Sequence, residues 1–258
     1  MAGDGGGEFR IDEYALEHVL NTQEWHLPFL PAIKIHPWLS LHGLMLIFAA
    51  GFLLLLFCVL YRKEQRVPHG FTNLLESLVM FIRNDIALPT LGPEVGRQMT
   101  PVLCNFFFFI LVLNLMGMVP VFATATANIN VTAALALITL TIMIGGAIYK
   151  KGILGFVKTF MPSGVPWPFL IIIIPIEFLG MFAKTAALTI RLFANMIAGH
   201  LVILTLIGLI ALLGMIAVPF LAMAVFVSLL EILVAFLQAY IFTLLSALFI
   251  GQLLEPQH

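Results

Sequence analysis

The run PFLIIIIPIEFLGMFAKTAALTIRLFANMIAG, residues 168–199, decides the fold: it is 32 residues long and carries only Glu177, Lys184 and Arg191 as charged side chains. As a helix it would be about 48 Å long. A second run, PFLAMAVFVSLLEILVAFLQAYIFTLLSALFI at residues 219–250, has the same length and one charge, Glu231. The hydrocarbon core of a bilayer is about 30 Å thick. An unbroken helix of 48 Å held inside it would tilt by roughly 50°, beyond the usual range of about 0–40°. These helices therefore either break or lie strongly tilted against a protein partner. Gly208, Gly214 and Pro219 supply a turn between them.

The rest of the chain agrees with a membrane setting. Of 258 residues, 62% are hydrophobic and 10% charged, and the mean hydropathy is +1.11. That is too little charge for a water-soluble domain and too much apolar content for a disordered one. A net charge of −1 gives no basic footprint for nucleic acid. Two cysteines, Cys58 and Cys104, cannot build a disulfide framework or a zinc cluster.

Working back from residue 168, three further apolar runs are long enough to span: about 39–61, 100–122 and 131–149. Between the first two, Phe71, Leu74, Leu75, Leu78 and Val79 recur at helical spacing against Asn73, Glu76 and Arg83, which predicts an amphipathic helix over 70–88 on the membrane surface. The acidic segment 1–38 has no basic start and no apolar core, so it does not read as a signal peptide. The fold class is an all-α integral membrane protein with five membrane-inserted helices and one amphipathic surface helix, the last two spans long and strongly tilted. It forms a single polytopic membrane domain over 1–258. Residues 1–38 make its outer segment, 39–161 the first span, surface helix and two-span hairpin, and 162–258 the tilted hairpin.

Basic residues mark the inner side. The 62–97 connection holds Arg62, Lys63, Arg66, Arg83 and Arg97, the 150–158 connection holds Lys150, Lys151 and Lys158, and 120–130 holds no charge. The N-terminus is then outside and the C-terminus cytoplasmic.

Glu177, Lys184 and Arg191 are each seven apart, which is two turns with about 20° of drift, so they share one stripe. Asn195 extends it by a turn. On the last helix Glu231 and Gln238 are also seven apart. Two facing helices thus each carry a polar seam, with His200 a further titratable group. One reading is structural glue between the seams. Interhelical polar contacts average only about 0.6 kcal/mol, against about 2.5–3.5 kcal/mol to insert one Arg, Lys or Asp. The better reading is a path for ions or protons. A guanidinium does not deprotonate in practice, so Arg191 is a fixed positive charge. Glu177, His200 and Glu231 can exchange protons, and the set reads as a barrier with an access route on each side.

The stretches RLFANMIAGH at 191–200, EILVAFLQAYIF at 231–242 and NLMGMVP at 114–120 together resemble the signatures of the a subunit of F-type ATP synthases. The resemblance covers most of the chain from about residue 39. It implies a stator of a membrane motor that packs against a rotating ring of c subunits, each with a membrane carboxylate, and that works with the b subunits of the peripheral stalk and the other subunits of the complex. Arg191 matches the family's essential arginine facing that carboxylate. At 4 Å and an effective dielectric of 20 their attraction is about 4 kcal/mol, enough to favour the ionised carboxylate and small enough to let it leave.

By the same resemblance Asn195 and Gln238 hold the guanidinium directly or through water. His200 and Glu231 line the outer half-channel, their acid and imidazole exchanged relative to many bacterial relatives. Glu177 serves the cytoplasmic half-channel and Asn114 the outer one. Lys184 matches a basic position whose side chain either snorkels to an interface or acts directly. Tyr240, in the last-helix signature, is a further site candidate. Gly117 stands where some relatives have Asp, which alters that part of the outer route.

Outside these seams the signals are weaker. His18, His26, His36, His42 and His69 fall outside the apolar core or at its edges without metal-ligand spacing, so neither a metal nor another cofactor is expected. Trp25, Trp38, Tyr61 and Tyr149 read as interfacial belt residues, Trp167 as an anchor at a helix start, Phe106–Phe109 as lipid-facing or packing residues, and Gly145-Gly146-Ala147 as a close-packing site. No P-loop pattern occurs, which leaves nucleotide chemistry to other subunits. A stand-alone secondary transporter is the alternative, but the chain shows no convincing repeat of the kind such folds carry. An intramembrane enzyme would need a nucleophile or metal constellation within the spans, and none is present in the sequence. The expected location is a bacterial inner membrane.

Overall fold

The computed structural model describes residues 24–25, 33–34, 40–60, 70–119, 122–161, 166–213 and 218–254. Apart from a two-residue antiparallel pairing of β1 (Glu24–Trp25) with β2 (Ile33–Lys34), the described elements are helical. Five helical stretches are long and apolar enough to cross a membrane. The chain is a multi-pass membrane protein.

Helix α1 (Leu41–Leu55) starts where the Ser40 hydroxyl accepts from the Gly43 amide at 3.2 Å, satisfying one orphan N–H. It winds on through Leu56–Leu60 with wider π-type turns. Helix α2 (Phe71–Phe81) is the amphipathic element, continued through Ile82–Ala87. It does more than float on a surface: Leu75, Ile82, Ile86 and Ala87 are buried in the main apolar core, while Phe71 and Leu74 stay exposed.

Helix α3 (Leu88–Gly117) contains one break, at Gly92 with φ 73°. A side chain there would be strained, and Pro93, with no N–H to offer, restarts the helix at its first turn. The second span thus begins several residues before the expected position and ends at Gly117. A short turn, Ala125–Ala127, leads to α4 (Ile129–Thr159), capped by Asn128 Oδ1, which accepts from the Asn130 amide at 2.9 Å. Helix α4 breaks once, at Gly152 with φ 71°.

The last two helices settle the question their lengths posed. Helix α5 (Trp167–Leu213) has 47 residues and α6 (Val218–Leu254) has 37. At 1.5 Å per residue these are about 70 Å and 55 Å, and Gly208 is carried inside α5 rather than turning it. Helix α5 ends at Leu213 and α6 starts at Val218, with Pro219 in its first turn. Unbroken helices of this length leave strong tilt as the way to fit a bilayer core of about 30 Å.

Helix α6 is the central strut, packed on α3, α4 and α5. Phe106 and Phe107 of α3 meet Phe242 and Phe236 edge-on at 5.8 and 5.5 Å between ring centres. A buried hydroxyl pair, Thr139 and Ser246, at 3.2 Å ties α4 to α6. Thr100, Thr185, Thr189 and Thr243 return their hydroxyls to the carbonyl four residues back, which satisfies them where no water competes. Phe106, Phe107 and Phe108 are buried, so this run is core. Of the small residues 145–147, Ala147 is buried in the core and Gly146 faces Leu254, whereas Gly145 faces open space. Tyr149 is 95% exposed, as a belt residue would be. His42 departs from the expected edge position: it lies in the first turn of α1 yet is 1% exposed. The belt candidates Trp38 and Tyr61, and His18, His26, His36 and His69, lie outside the described residues.

Candidate functional site

The two polar seams take opposite settings. On α6, Glu231 is 6% and Gln238 4% exposed. They share one buried face with Ala235, Phe242 and Ser246. Between residues 177 and 200 of α5 the buried positions are Met181, Thr185, Leu188, Thr189, Leu192 and Met196. The line through Glu177, Lys184, Arg191 and Asn195 runs about 90° round the helix from these, at 100° per residue. Glu177 and Arg191 are exposed there, and Lys184, Asn195 and His200 are half-buried. Among the described residues Arg191 makes no hydrogen bond or ion pair, to Asn195 and Gln238 or to any other. The seams therefore lie side by side without closing on each other.

Two contacts fix the antiparallel register of α5 against α6. Near one end, Lys184 Nζ donates to Gln252 Oε1 at 2.8 Å and sits 5.5 Å from the centre of the Phe249 ring. Further along, Gly199 lies against Glu231: a Cβ there would come within 2.8 Å of Glu231 Oε1. His200, next in sequence, shares this neighbourhood. Along α5, Glu177 lies about 21 Å to one side of Arg191 and His200 about 14 Å to the other.

Three buried polar side chains, on α3, on α6 and in the turn before α4, have an atom left unpaired among the described residues. Asn114, fully buried on α3, donates from Nδ2 to the Ala235 carbonyl at 3.5 Å. Its Oδ1, Glu231 Oε2 and Thr126 Oγ1 are buried polar atoms with no hydrogen-bond partner among the described residues. Thr126 belongs to the Ala125–Ala127 turn, which packs against α5, α3, α4 and α1. Sequence reasoning missed Thr126 because a threonine in an uncharged connection gives no signal. It also missed Thr124, which explains the departure at residue 117. Thr124 Oγ1 donates to the Gly117 carbonyl at 3.2 Å, and its methyl would stand 2.7 Å from a Cβ at 117. The space an aspartate would need is filled by Thr124.

Tyr240 sits elsewhere, its ring 5.7 Å from that of Phe81 on α2. Lys151, read as a topology signal, donates to the Leu253 carbonyl at 2.8 Å and so caps the end of α6.

Fold and site together define a polytopic helical membrane protein with one outward-facing arginine and a buried acid on its two longest helices. The pattern of the ATP synthase A chain family matches residues 43–251, so the chain belongs to that family. It is 48% identical over 215 residues to the ATP synthase subunit a of Anaeromyxobacter sp. (strain Fw109-5), covering 81% of this chain and 53% of that one. To the subunit a of Chloroherpeton thalassium it is 48% identical over 252 residues, covering 92% and 75%. To that of Myxococcus xanthus it is 41% identical over 268 residues, covering 93% and 87%. The chain thus spans about half the length of the Anaeromyxobacter relative and most of the other two.

Proposed function

We propose that this chain is the stator a subunit of an F-type ATP synthase in a bacterial inner membrane, coupling proton flow to rotation of a ring of c subunits. The observation that carries the reading is the exposed Arg191 on a membrane helix, unpaired among the described residues. A cation there costs about 2.5–3.5 kcal/mol to insert, and its guanidinium keeps its charge. It calls for an anion outside this chain, and a ring carboxylate passing α5 supplies one.

The remaining residues then fall into roles. Buried polar atoms take hydrogen bonds from protein or water, so Glu231 Oε2, Asn114 Oδ1 and Thr126 Oγ1 define where water would suit. With His200 they form the outer access route. A proton arriving there neutralises a ring carboxylate, which then travels through lipid uncharged. On the other side of Arg191, along the line that holds Glu177, the carboxylate gives up its proton to the side with the basic connections and meets the guanidinium as an anion. Arg191 also repels a proton crossing directly. Each such leak would forfeit about 2.3 kcal/mol per 100 mV. The tilt that the helix lengths require lets α5 and α6 follow the curved surface of a ring. The b subunits and the soluble head are the further partners, with the N-terminus outside and the C-terminus cytoplasmic.

The test is Arg191→Ala in the purified complex reconstituted into liposomes. The complex assembles with its ring, and ATP-driven proton pumping is lost. Normal pumping by an assembled Arg191→Ala complex overturns the reading, and a chain that purifies without a small ring subunit points to a stand-alone transporter.

A further inference from the structure

A cavity of about 620 Å³ opens between α1, α3 and α4, with Ala50, Phe57, Cys104, Asn105, Phe109 and Ile138 among its lining residues. From the cavity we infer a binding site for one acyl chain of an anionic phospholipid, in the leaflet on the side of the basic connections, with the headgroup phosphate held at Arg97.

Size, depth and charge point to that occupant. The volume lies in the range of about 300–1,000 Å³ that holds one small or drug-sized molecule. The walls are almost wholly apolar, as an acyl chain requires. The lining on α1 runs from Ala50 to Cys58, two residues short of the end of the π-type turns at Leu60, and the sequence continues into Arg62-Lys63. The cavity therefore reaches from mid-membrane to the basic side.

On α3, Arg97 lies four residues before Pro101 and seven before Cys104, so it extends the lining stripe by one turn toward that side. It is exposed, as is Gln98 beside it. Asn105 is the amide that faces the cavity, and its side chain makes no hydrogen bond among the described residues. A lipid's ester and glycerol oxygens offer it acceptors that a hydrocarbon chain alone does not. Basic residues at a membrane surface attract anionic lipids by about 1 kcal/mol each.

The test uses the assembled complex in vesicles of phosphatidylcholine doped with a phosphatidylglycerol that carries a diazirine on one acyl chain, against the same probe on phosphatidylcholine. After photolysis, label is expected on the peptides holding residues 50–58 and 101–109, about fivefold more from the anionic probe. Arg97→Gln, at an exposed position, removes that preference. Ala50→Phe, also pointing outward, fills the cavity and removes the label while proton pumping persists. Label spread as strongly over the exposed Ile171–Ile176 face overturns the inference, as does an anionic preference that survives Arg97→Gln. So does an oxidative cross-link from Cys58 or Cys104 to a helix of another subunit, because a protein would then fill the groove.

Discussion

Helices α5 and α6 are antiparallel neighbours with the same apolar composition and the same seven-residue spacing of polar groups, yet they use that spacing in opposite ways. On α6 the polar line coincides with the buried face. Ala235, Ala239, Ala247 and Gly251 keep that face thin, and α3 comes so near that a Cβ at Gly251 would strike the Thr90 carbonyl. On α5 the buried face is apolar or threonine, and the charged line turns away from it. A seven-residue repeat tells which residues share a stripe. Which stripe meets protein is decided by the residues beside it, small ones permitting close approach. In this chain the difference separates an internal, water-suited acid from an external fixed cation.

The strongest way to break the contrast is Arg191→Ala. If the outward line faces a carboxylate, removing about 4 kcal/mol of attraction lowers ATP-driven proton pumping by roughly a thousandfold, measured by dye quenching in liposomes, with assembly intact. Glu231→Gln tests the inward line. It keeps the shape and hydrogen-bonding capacity of the side chain but cannot exchange a proton. A positioned acid or base contributes about 10²–10⁴ in a proton transfer. Pumping should fall by about a hundredfold and its pH profile should change, while an unchanged profile would remove Glu231 from the route.

The sequence disclosed the five spans, the amphipathic element and both seams, because apolar runs and heptad spacing are local properties. The same spacing singled out Arg191, Glu231 and Gln238, to which the family signatures attach roles. It could not disclose that one seam is covered and the other bare, because that depends on α3 and α4 closing over α6 across more than a hundred residues of chain. For the same reason Thr124 and Thr126 were silent. Their meaning comes from the backbone of Gly117 and from helices that converge on the turn. The buried setting of His42 was hidden likewise: its place at the edge of a span says nothing about Ala123 and Ala125, which pack on the same end of α1. The helix breaks at Gly92 and Gly152 required φ values that a sequence with 20 glycines does not single out.

A smaller effect tests the place where the two lines come nearest. Gly199 leaves room for the Glu231 carboxylate. Gly199→Ala forces that flexible side chain off its preferred rotamer, at about 0.5–1.5 kcal/mol. Pumping is expected to fall about fivefold with the complex assembled. In a Glu231→Gln background the same substitution should add little, since residues in contact are not additive. Full additivity of the two losses would show that Gly199 does not act through Glu231.

The least effect is expected at Lys184, and it sharpens the contrast most finely. Lys184 stands on the outward line, yet its ammonium is engaged by Gln252 and Phe249 of α6. If it is a strut between the helices, Lys184→Met keeps the stem and loses one half-exposed charged hydrogen bond and one cation–π contact. Such contacts contribute about 0.5–1 kcal/mol each. A double-mutant cycle with Gln252→Ala, read by thermal dissociation of the complex, should show a coupling of about 0.5–1 kcal/mol, while pumping stays within about twofold of the parent. If Lys184 instead moves protons beside Glu177, pumping falls well beyond the loss of stability and its pH profile shifts. The outward line would then be conducting over its whole length, rather than a fixed charge at Arg191 flanked by one titratable group and one brace.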